Sequence, residues 1–309
     1  MPTVTALHIQ TPMLTSRALS PMGQTVLLKL EALQPPGSFK IRGIGLACQE
    51  YVRCGAKRLI SSSGGNAGIA VAYAGQRLGV PVVVVVPETT TARARTLIKS
   101  EEAELILHGA SWQEANAYAM SMVTATDAFL HPFDDPLLWT GHSSMIDEVA
   151  AAGARPDAII LSVGGGGLLC GVLEGLHRHG WRDVPVITVE SLGADSYFQS
   201  IKAGHRVELK VIASIATSLG ARKVCAQAFE WSMRHPIRPV VVTDRSAVSA
   251  CMRFLLDHRI LVEPACGAAL AAIYDTVPQI AGFKTILVIV CGGVTATAEQ
   301  LLSLAAQLP

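Results

Sequence analysis

Short β-branched segments alternate with helical segments along nearly the whole chain. Val82–Val86 is a run of consecutive valines, which is typical of a strand buried on both faces. Similar apolar segments at 157–163 and 285–291 lie between stretches of helical character. Because strands that alternate with helices form parallel sheets through right-handed crossovers, we predict an α/β fold built on open parallel sheets.

The composition favours a tightly packed cytoplasmic enzyme. Hydrophobic residues make up 50% of the 309 residues, charged residues only 16%, and the net charge is +1 with no basic run. Such a chain has little electrostatic attraction for nucleic acid or for an anionic membrane. The apolar runs are only of strand length and the N-terminus has no secretory signal, so we predict neither a membrane span nor export.

Four consecutive glycines, Gly164 to Gly167, follow the apolar segment 157–163 and precede a helical pattern. Glycines at the start of a helix let backbone N–H groups surround an anion, and the helix dipole favours phosphate there. The spacing does not match a dinucleotide motif, because Leu169 stands where a glycine is required, and no P-loop lysine follows. We predict a site for one phosphate monoester; a tight strand-to-helix turn is the alternative.

A lysine and a serine-rich loop suggest the rest of a site. Lys40 follows Ser38, which we predict as a helix N-cap, and a lysine in a first turn is disfavoured by the helix dipole, which makes its amine a better nucleophile. The loop from Ser61 to Gly68 offers hydroxyl groups and N–H groups at another helix start, a composition suited to a substrate carboxylate. The alternatives without a functional role are that Lys40 is a solvated surface residue and that the loop is an ordinary helix-capping turn.

The cysteines point away from metal binding. There are seven, and no two form a C-x-x-C pair, which argues against a zinc site or a disulfide framework and favours reduced thiols. Cys291-Gly292-Gly293 ends the last predicted strand, where open α/β sheets bind ligands. A reactive lysine, a monophosphate loop and a carboxylate loop are together what pyridoxal 5′-phosphate (PLP) requires.

Five motifs carry a resemblance to a known family. The chain resembles the serine/threonine dehydratases of PLP fold type II, and within them the catabolic L-serine dehydratases and serine dehydratase-like proteins, over about residues 11 to 297. The motifs, in order, are Ser38-Phe39-Lys40 with Arg42-Gly43, the serine-rich loop ending in Asn66-Ala67-Gly68, Gly164 to Leu168, Glu263-Pro264-Ala265-Cys266-Gly267-Ala268, and Cys291-Gly292-Gly293.

The resemblance implies a role for each motif. Lys40 would carry the cofactor and act as the catalytic base at Cα, Phe39 would pack beside the pyridine ring, and Asn66 would bond its 3′-oxygen. Cys291, with Gly292, would face the pyridine nitrogen. The glycine loop would hold the phosphate through Gly164, Gly165, Gly166, Gly167 and Leu168, and the substrate carboxylate would meet Ser62, Ser63, Gly64, Asn66 and Ala67.

The resemblance also implies an architecture and an activity. Two open parallel-sheet α/β domains would hold the cofactor between them: a large domain of residues 1–40 and 135–309, and a small mobile domain of residues 41–134. A homodimer is expected, and a monovalent cation, K⁺ in the first instance, would bind Glu190, Ala194, Ser196, Leu219 and Ala221. The implied reaction is β-elimination of L-serine to pyruvate and ammonia, with L-threonine giving 2-oxobutanoate as a secondary activity.

Two positions are expected to tune the pocket. Gly64 and Ser218 resemble the serine dehydratase-like pair, where close dehydratases place alanine, so we expect Gly64→Ala with Ser218→Ala to raise kcat/KM. A serine racemase is one alternative function, although it needs a second acid/base where this chain has Gly64. A low-activity or non-catalytic PLP-binding protein is the other, and a nicotinamide-binding fold is weakened by the failed glycine spacing.

Overall fold

The computed structural model describes residues 5–20 and 23–308. They divide into two compact units, a smaller one of residues 5–9 with 34–142 and a larger one of residues 10–33 with 143–308, within the described ranges. Each unit contains a parallel sheet flanked by helices, so the predicted α/β class is confirmed. The predicted large domain of residues 1–40 and 135–309 and the predicted small mobile domain of residues 41–134 stay predictions.

The smaller unit is a four-stranded sheet in the order β5-β4-β3-β6, with every pairing parallel. Elements are numbered in chain order through both units. In this unit they are α1 (Lys40–Arg53), β3 (Arg58–Ser61), α2 (Asn66–Leu78), β4 (Val82–Val86), α3 (Ala92–Ser100), β5 (Glu104–Leu107), α4 (Trp112–Ser121) and β6 (Asp127–Leu130), followed by α5 (Pro136–Ala151), which continues into the larger unit.

The larger unit is a six-stranded sheet in the order β1-β2-β10-β7-β8-β9. Only β1 runs antiparallel, at one edge. Its elements are β1 (Met13–Ser16), β2 (Thr25–Lys29), β7 (Ala158–Ser162), α6 (Gly167–Arg178), β8 (Val186–Ser191), α7 (Ser196–Ala203), α8 (Ala226–Ser232), β9 (Ile237–Val242), α9 (Asp244–His258), α10 (Pro264–Tyr274), β10 (Thr285–Ile289) and α11 (Ala298–Gln307). Short 3-10 turns occupy Glu31–Leu33, Thr217–Leu219 and Pro278–Ile280.

The central strands lie in the cores of their units. All five residues of β4 and all five of β7 are buried, and burying one valine or isoleucine side chain contributes roughly 1.5–3 kcal/mol. These strands have neighbours on both sides, which is why they lack the polar alternation of an edge strand. Their carboxyl ends therefore have fixed positions, and the loops that follow them begin from a rigid edge.

Two local predictions need correction. The apolar character of residues 26–33 predicts one strand, but the structure has β2 followed by the 3-10 turn Glu31–Leu33. The alternation of strands and helices predicts one helix between the strands near 184–190 and 239–243, but the structure has two there, α7 and α8. Across residues 5–20 and 23–308, none of the helices combines the length and the apolar character that a bilayer crossing requires.

Candidate cofactor site

Lys40 is the first residue of α1, as the sequence predicts for the start of this helix. Its side chain is half-buried, and Nζ donates a hydrogen bond to the carbonyl oxygen of Pro132 at 2.5 Å. The same nitrogen lies 5.1 Å from the centroid of the Phe39 ring. The amine is therefore oriented by a carbonyl acceptor and an aromatic face.

The helix cap differs from the prediction. The N-cap position of α1 belongs to Phe39, whose side chain cannot cap, and Ser38 is buried with no hydrogen-bond partner for its hydroxyl. A helix start leaves backbone N–H groups without intrahelical acceptors. Here His142 supplies one, because its Nδ1 accepts from the N–H of Gly43 at 3.2 Å. The prediction of Ser38 as N-cap was wrong.

His142 also contributes to the electrostatics around Lys40. Its ring packs edge-on against Phe39 with centroids 4.8 Å apart. Burial, and then the positive charges of Lys40 and Arg42, hold the pKa of His142 well below its ordinary value of 6.5. Burial and the charge of Lys40 also lower the pKa of His131, against the attraction of nearby acids. Both imidazoles are thus kept neutral beside the amine.

The serine-rich loop is shaped by hydrogen bonds within the smaller unit. Ser62 Oγ donates to Asn116 Oδ1 at 2.7 Å, and Ser63 Oγ accepts from the N–H of Gly65 at 3.3 Å. Helix α2 then begins at the buried Asn66. Because the hydroxyl proton of Ser62 is already donated, the N–H groups at the start of α2 and the side chains of Ser63 and Asn66 are the better donors for an anion.

Gly64 sits in this loop with little free space. A Cβ at this position would lie 2.8 Å from Oγ1 and 2.9 Å from Cγ2 of Thr90, and 3.4 Å from a methyl group of Val86. Ala67, the second residue of α2, is buried. The loop residues predicted to meet a carboxylate, from Ser62 to Ala67, are therefore contiguous around one helix start.

The glycine loop lies between β7 and α6 in the larger unit. Gly166 takes the N-cap position of α6 with φ of 97°, a conformation that glycine adopts without the penalty a Cβ would bring. A Cβ there would also lie 2.5 Å from the side chain of Ala228. Gly167 and Leu168 form the first turn of α6, where N–H groups have no acceptor in their own helix.

The turn that carries Ser218 covers this loop. The carbonyl oxygen of Ser218 and the Cα of Leu219 lie 3.0 Å from the position that a Cβ on Gly164 would occupy. The N–H of Cys225 donates to the carbonyl oxygen of Gly165 at 3.0 Å. The structure thus brings Ser218 and the glycine loop together, although the Ser218 side chain itself is exposed.

Cys291 lies just beyond β10 and is buried. A hydrogen bond with Cys266, followed by burial, raises the pKa of the Cys291 thiol well above its ordinary value. Behind it, the N–H of Glu263 donates to the carbonyl oxygen of Gly292 at 3.3 Å. The two C-terminal motifs are therefore in contact, and they present a neutral thiol at the end of a central strand.

The residues predicted to bind a cation fall in two places of the larger unit. Glu190, Ala194 and Ser196 are buried at the end of β8 and the start of α7, whereas Leu219 and Ala221 lie at the second 3-10 turn. Burial raises the pKa of Glu190 to about 8, against N–H donors from Tyr197 and Phe198. The Ser196 hydroxyl is buried and has no hydrogen-bond partner.

Each of these groups, within its own unit, is of a kind that PLP binding requires. The glycine loop is closed by backbone within 3.0 Å of the space beside Gly164, and it offers a helix start to a phosphate. Cys291 offers a neutral thiol to a pyridine nitrogen, and Lys40 offers an oriented amine. The buried Ser38 hydroxyl, without a partner beside Phe39, is a further polar atom that a ligand could satisfy.

The matched family agrees with this set of groups. Residues 4–292 match the family described as pyridoxal-phosphate dependent enzyme, and the chain belongs to that family. Cofactor binding and the fold are thereby assigned at the level of the family.

Similar proteins carry more specific names. The chain is 45% identical to an L-serine dehydratase of Dictyostelium discoideum, with 98% of this chain and 93% of the relative covered. It is 46% identical to a serine dehydratase-like protein of Mus musculus, covering 97% and 95%. A fungal L-serine ammonia-lyase from Rhizomucor miehei has a structure with a TM-score of 0.92 at 36% identity, covering 98% and 99%.

Several residues of this arrangement carry no local signal in the sequence. His142 lies 99 residues from Gly43 and Asn116 lies 54 residues from Ser62. Cys266 lies 25 residues from Cys291. Cys266 lies within a quoted motif, so a paired thiol could have been anticipated. Nothing in the spacing of the other two indicates their contacts.

Proposed function

We propose that the chain is a PLP-dependent L-serine ammonia-lyase that converts L-serine to pyruvate and ammonia, with L-threonine giving 2-oxobutanoate as a secondary activity. The observation that carries the proposal is the similarity to proteins named L-serine dehydratase over 98% of this chain. When bound, the cofactor withdraws electrons from Cα of an amino acid and so weakens the bonds at that carbon.

Lys40 is proposed to carry the cofactor and then to take the proton from Cα. Its support is the position at the first residue of α1 and the orientation of Nζ by the Pro132 carbonyl oxygen. Neutral His131 and His142 add no competing charge beside the amine. The two proposed roles require a neutral amine that takes up the Cα proton.

The start of α2 is proposed to bind the substrate carboxylate. Ser63, Gly64, Asn66 and Ala67 lie around this helix start, where the dipole favours negative charge. Ser62 has a supporting role, because its hydroxyl is donated to Asn116. Asn66 is also proposed to bond the cofactor's 3′-oxygen, and Phe39 to pack beside its ring.

Cys291 is proposed to face the pyridine nitrogen as a neutral partner, with Gly292 beside it. Its thiol is kept protonated by Cys266 and by burial. A neutral thiol does not enforce a positive charge on the pyridine nitrogen, as a carboxylate would. The site therefore stabilises negative charge at Cα only moderately, which favours elimination over reprotonation at Cα. In the elimination one proton leaves Cα, and the β-hydroxyl takes up one proton and departs as water.

The glycine loop is proposed to hold the phosphate. Gly164, Gly165 and Gly166 leave the backbone accessible, and Gly167 and Leu168 begin α6. A phosphate there replaces the missing acceptors of the first turn and is favoured by the helix dipole.

The aminoacrylate that leaves after elimination is hydrolysed in water to pyruvate and ammonia.

A product assay tests the proposal. Purified protein incubated with PLP and L-serine should yield pyruvate and ammonia in equal amounts, and L-threonine should yield 2-oxobutanoate more slowly. Chiral chromatography of the same mixture detects D-serine. D-serine as the main product would favour a racemase, and PLP binding without any product would favour a non-catalytic relative.

The cation, the oligomeric state, the cellular location and the domain motion are proposals. K⁺ is proposed at Glu190, Ser196 and the carbonyl oxygens of Ala194, Leu219 and Ala221, supported by the unsatisfied hydroxyl of Ser196. The homodimer, the cytoplasmic location and a mobile domain of residues 41–134 stay predictions from the sequence and its resemblance. Size-exclusion chromatography with light scattering would measure the oligomeric state.

A further inference from the structure

The connection between α7 and α8 has little regular structure, and a carboxylate in another element holds it. Asp244 is the first residue of α9. Its Oδ1 accepts from Ser214 Oγ at 2.6 Å, and its Oδ2 accepts from the N–H of Ile215 at 3.0 Å. Oδ1 also accepts from Ser191 Oγ at 2.5 Å. The carboxylate therefore joins the connection to the end of β8.

The held segment leads directly into the turn that covers the glycine loop. Ser214 Oγ accepts from the N–H of Ala216 at 3.0 Å, and the 3-10 turn Thr217–Leu219 begins at the next residue. That turn places the Ser218 carbonyl oxygen and the Leu219 Cα at 3.0 Å from the space beside Gly164. Only two residues separate Ile215 from Ser218, so a fixed Ile215 leaves the turn little freedom.

The other end of the same connection also meets the glycine loop. Cys225 donates its N–H to the carbonyl oxygen of Gly165 at 3.0 Å. This contact belongs to the α8 end, where a regular helix follows along the chain, whereas the residues on either side of the 3-10 turn along the chain form no regular helix, although α10 packs against the turn. The end near Ser218 consequently depends more on hydrogen bonds to neighbouring elements.

We propose that Asp244 is a positioning residue that holds the 3-10 turn Thr217–Leu219 against the glycine loop and thereby raises the affinity of that loop for the cofactor phosphate. Asp244 acts through Ser214 and Ile215. A loop fixed before binding loses less conformational entropy when the anion arrives. The identity of the anion rests on the proposed function.

Two neighbouring substitutions separate positioning from helix capping. Asp244→Ala removes all three hydrogen bonds of the carboxylate. Thr243→Ala is the matched control, because Thr243 is the N-cap of the same helix and its Oγ1 accepts from the N–H of Ser246 at 3.1 Å. Both changes weaken the start of α9, but only Asp244→Ala releases Ser214 and Ile215.

The first readout is cofactor affinity of the full-length apoprotein, with PLP compared to pyridoxal, which lacks the phosphate. Asp244→Ala should raise the Kd for PLP about tenfold, because the turn that Asp244 no longer fixes must be ordered when the phosphate binds. The Kd for pyridoxal should stay within about twofold, and Thr243→Ala should change neither by more than that. Equal PLP affinities in the two variants would overturn the inference.

The second readout needs no cofactor. Hydrogen–deuterium exchange of the apoprotein should become faster at residues 213–219 and 164–168 in Asp244→Ala, and not in Thr243→Ala. Unchanged exchange there would overturn the positioning role. A wild-type protein that binds PLP and pyridoxal equally would overturn the phosphate role of the loop, whereas failure of the proposed reaction appears separately, as absence of pyruvate in the L-serine assay.

Discussion

The Nδ1 atom of His142 accepts a hydrogen bond from the backbone N–H of Gly43 at 3.2 Å. Helices α1 and α5 approach closely here, and each has a glycine at the contact. A Cβ on Gly43 would lie 2.4 Å from the Leu138 carbonyl oxygen, and a Cβ on Gly141 would lie 2.3 Å from the Arg42 carbonyl oxygen. Since Nδ1 is the acceptor, the proton of the neutral ring is on Nε2, which is buried without a partner. A side chain of α5 thus completes the start of the helix that carries Lys40.

We predict that His142→Ala lowers the free energy of unfolding by about 1–3 kcal/mol, because a buried N–H loses its acceptor. His142→Gln should lose less, since an amide oxygen can replace Nδ1. Urea unfolding monitored by circular dichroism measures both, and His205→Gln at an exposed position is the control. Equal stability of His142→Ala and wild type would show that water replaces the imidazole.

The same residue gives a pH dependence. Its folded-state pKa lies well below 6.5, so between the two values the unfolded chain binds a proton that the folded protein does not. Stability is therefore fully present above about pH 6.5 and decreases as the pH falls below it. The slope of unfolding free energy against pH in that acid range should be smaller in His142→Gln than in wild type or His205→Gln. An unchanged slope would mean that other groups cause the loss of stability at acid pH.

In Lys40→Ala, borohydride reduction should no longer fix the cofactor to the protein, and nearly all pyruvate formation should be lost. The reason is that no other amine occupies the first turn of α1. Lys57→Ala changes an exposed lysine of the same unit and should behave as wild type. Mass spectrometry after borohydride reduction locates the modified residue. Cofactor attached to a different lysine in an active Lys40→Ala protein would disprove the assignment.

The strands and the loops after them were predictable because their signals are local. A valine run such as Val82–Val86 indicates a buried strand wherever it occurs, and four glycines before an apolar helix indicate a crowded helix start. The edge strand Met13–Ser16 was missed, since its residues are largely exposed and pair antiparallel with β2. Its formation depends on a partner strand and not on its own composition.

The contacts that orient the candidate site could not be predicted from spacing. Ser38 has the best capping side chain near Lys40, yet the acceptor comes from His142, which lies 99 residues beyond the Gly43 N–H that it accepts. The same holds for Asp244, which bonds Ser214 from 30 residues away. Such pairings follow from the packing of whole elements, and a local propensity such as that of serine for N-caps yields to them.

Alanine substitutions at Gly64 and Ser218 are expected to change kcat/KM in opposite directions. Ser218→Ala should raise kcat/KM for L-serine severalfold, whereas Gly64→Ala alone should lower it, because its Cβ meets both branches of Thr90. Rotating a β-branched side chain moves one branch in as the other leaves, and such overpacking costs typically about 1–3 kcal/mol.

Adding Thr90→Ala to Gly64→Ala and Ser218→Ala should relieve the contact, and the combined change should raise kcat/KM about tenfold. Steady-state kinetics of Thr90→Ala alone provide the control. If Gly64→Ala alone is already faster than wild type, the loop opens to admit the methyl group and the steric argument does not hold.

Monovalent cations should stabilise the protein through Glu190 and Ser196. Burial raises the pKa of Glu190 to about 8 from 4.5, so between these values the folded protein holds a proton that the unfolded chain has released. Without a cation, stability therefore falls as the pH rises through this window. K⁺ should raise Tm relative to choline at equal ionic strength, most strongly above pH 8, because it supplies the positive charge that an ionised Glu190 lacks.

Two serine substitutions test this site. Ser196→Ala should reduce the effect of K⁺ on Tm. Ser200→Ala is the control and should not reduce it, because the Ser200 hydroxyl is already bonded to the Ser196 carbonyl oxygen and the Val207 N–H. Differential scanning fluorimetry of the three proteins in both salts decides the point, and equal K⁺ responses in all of them would exclude Ser196 from the cation site.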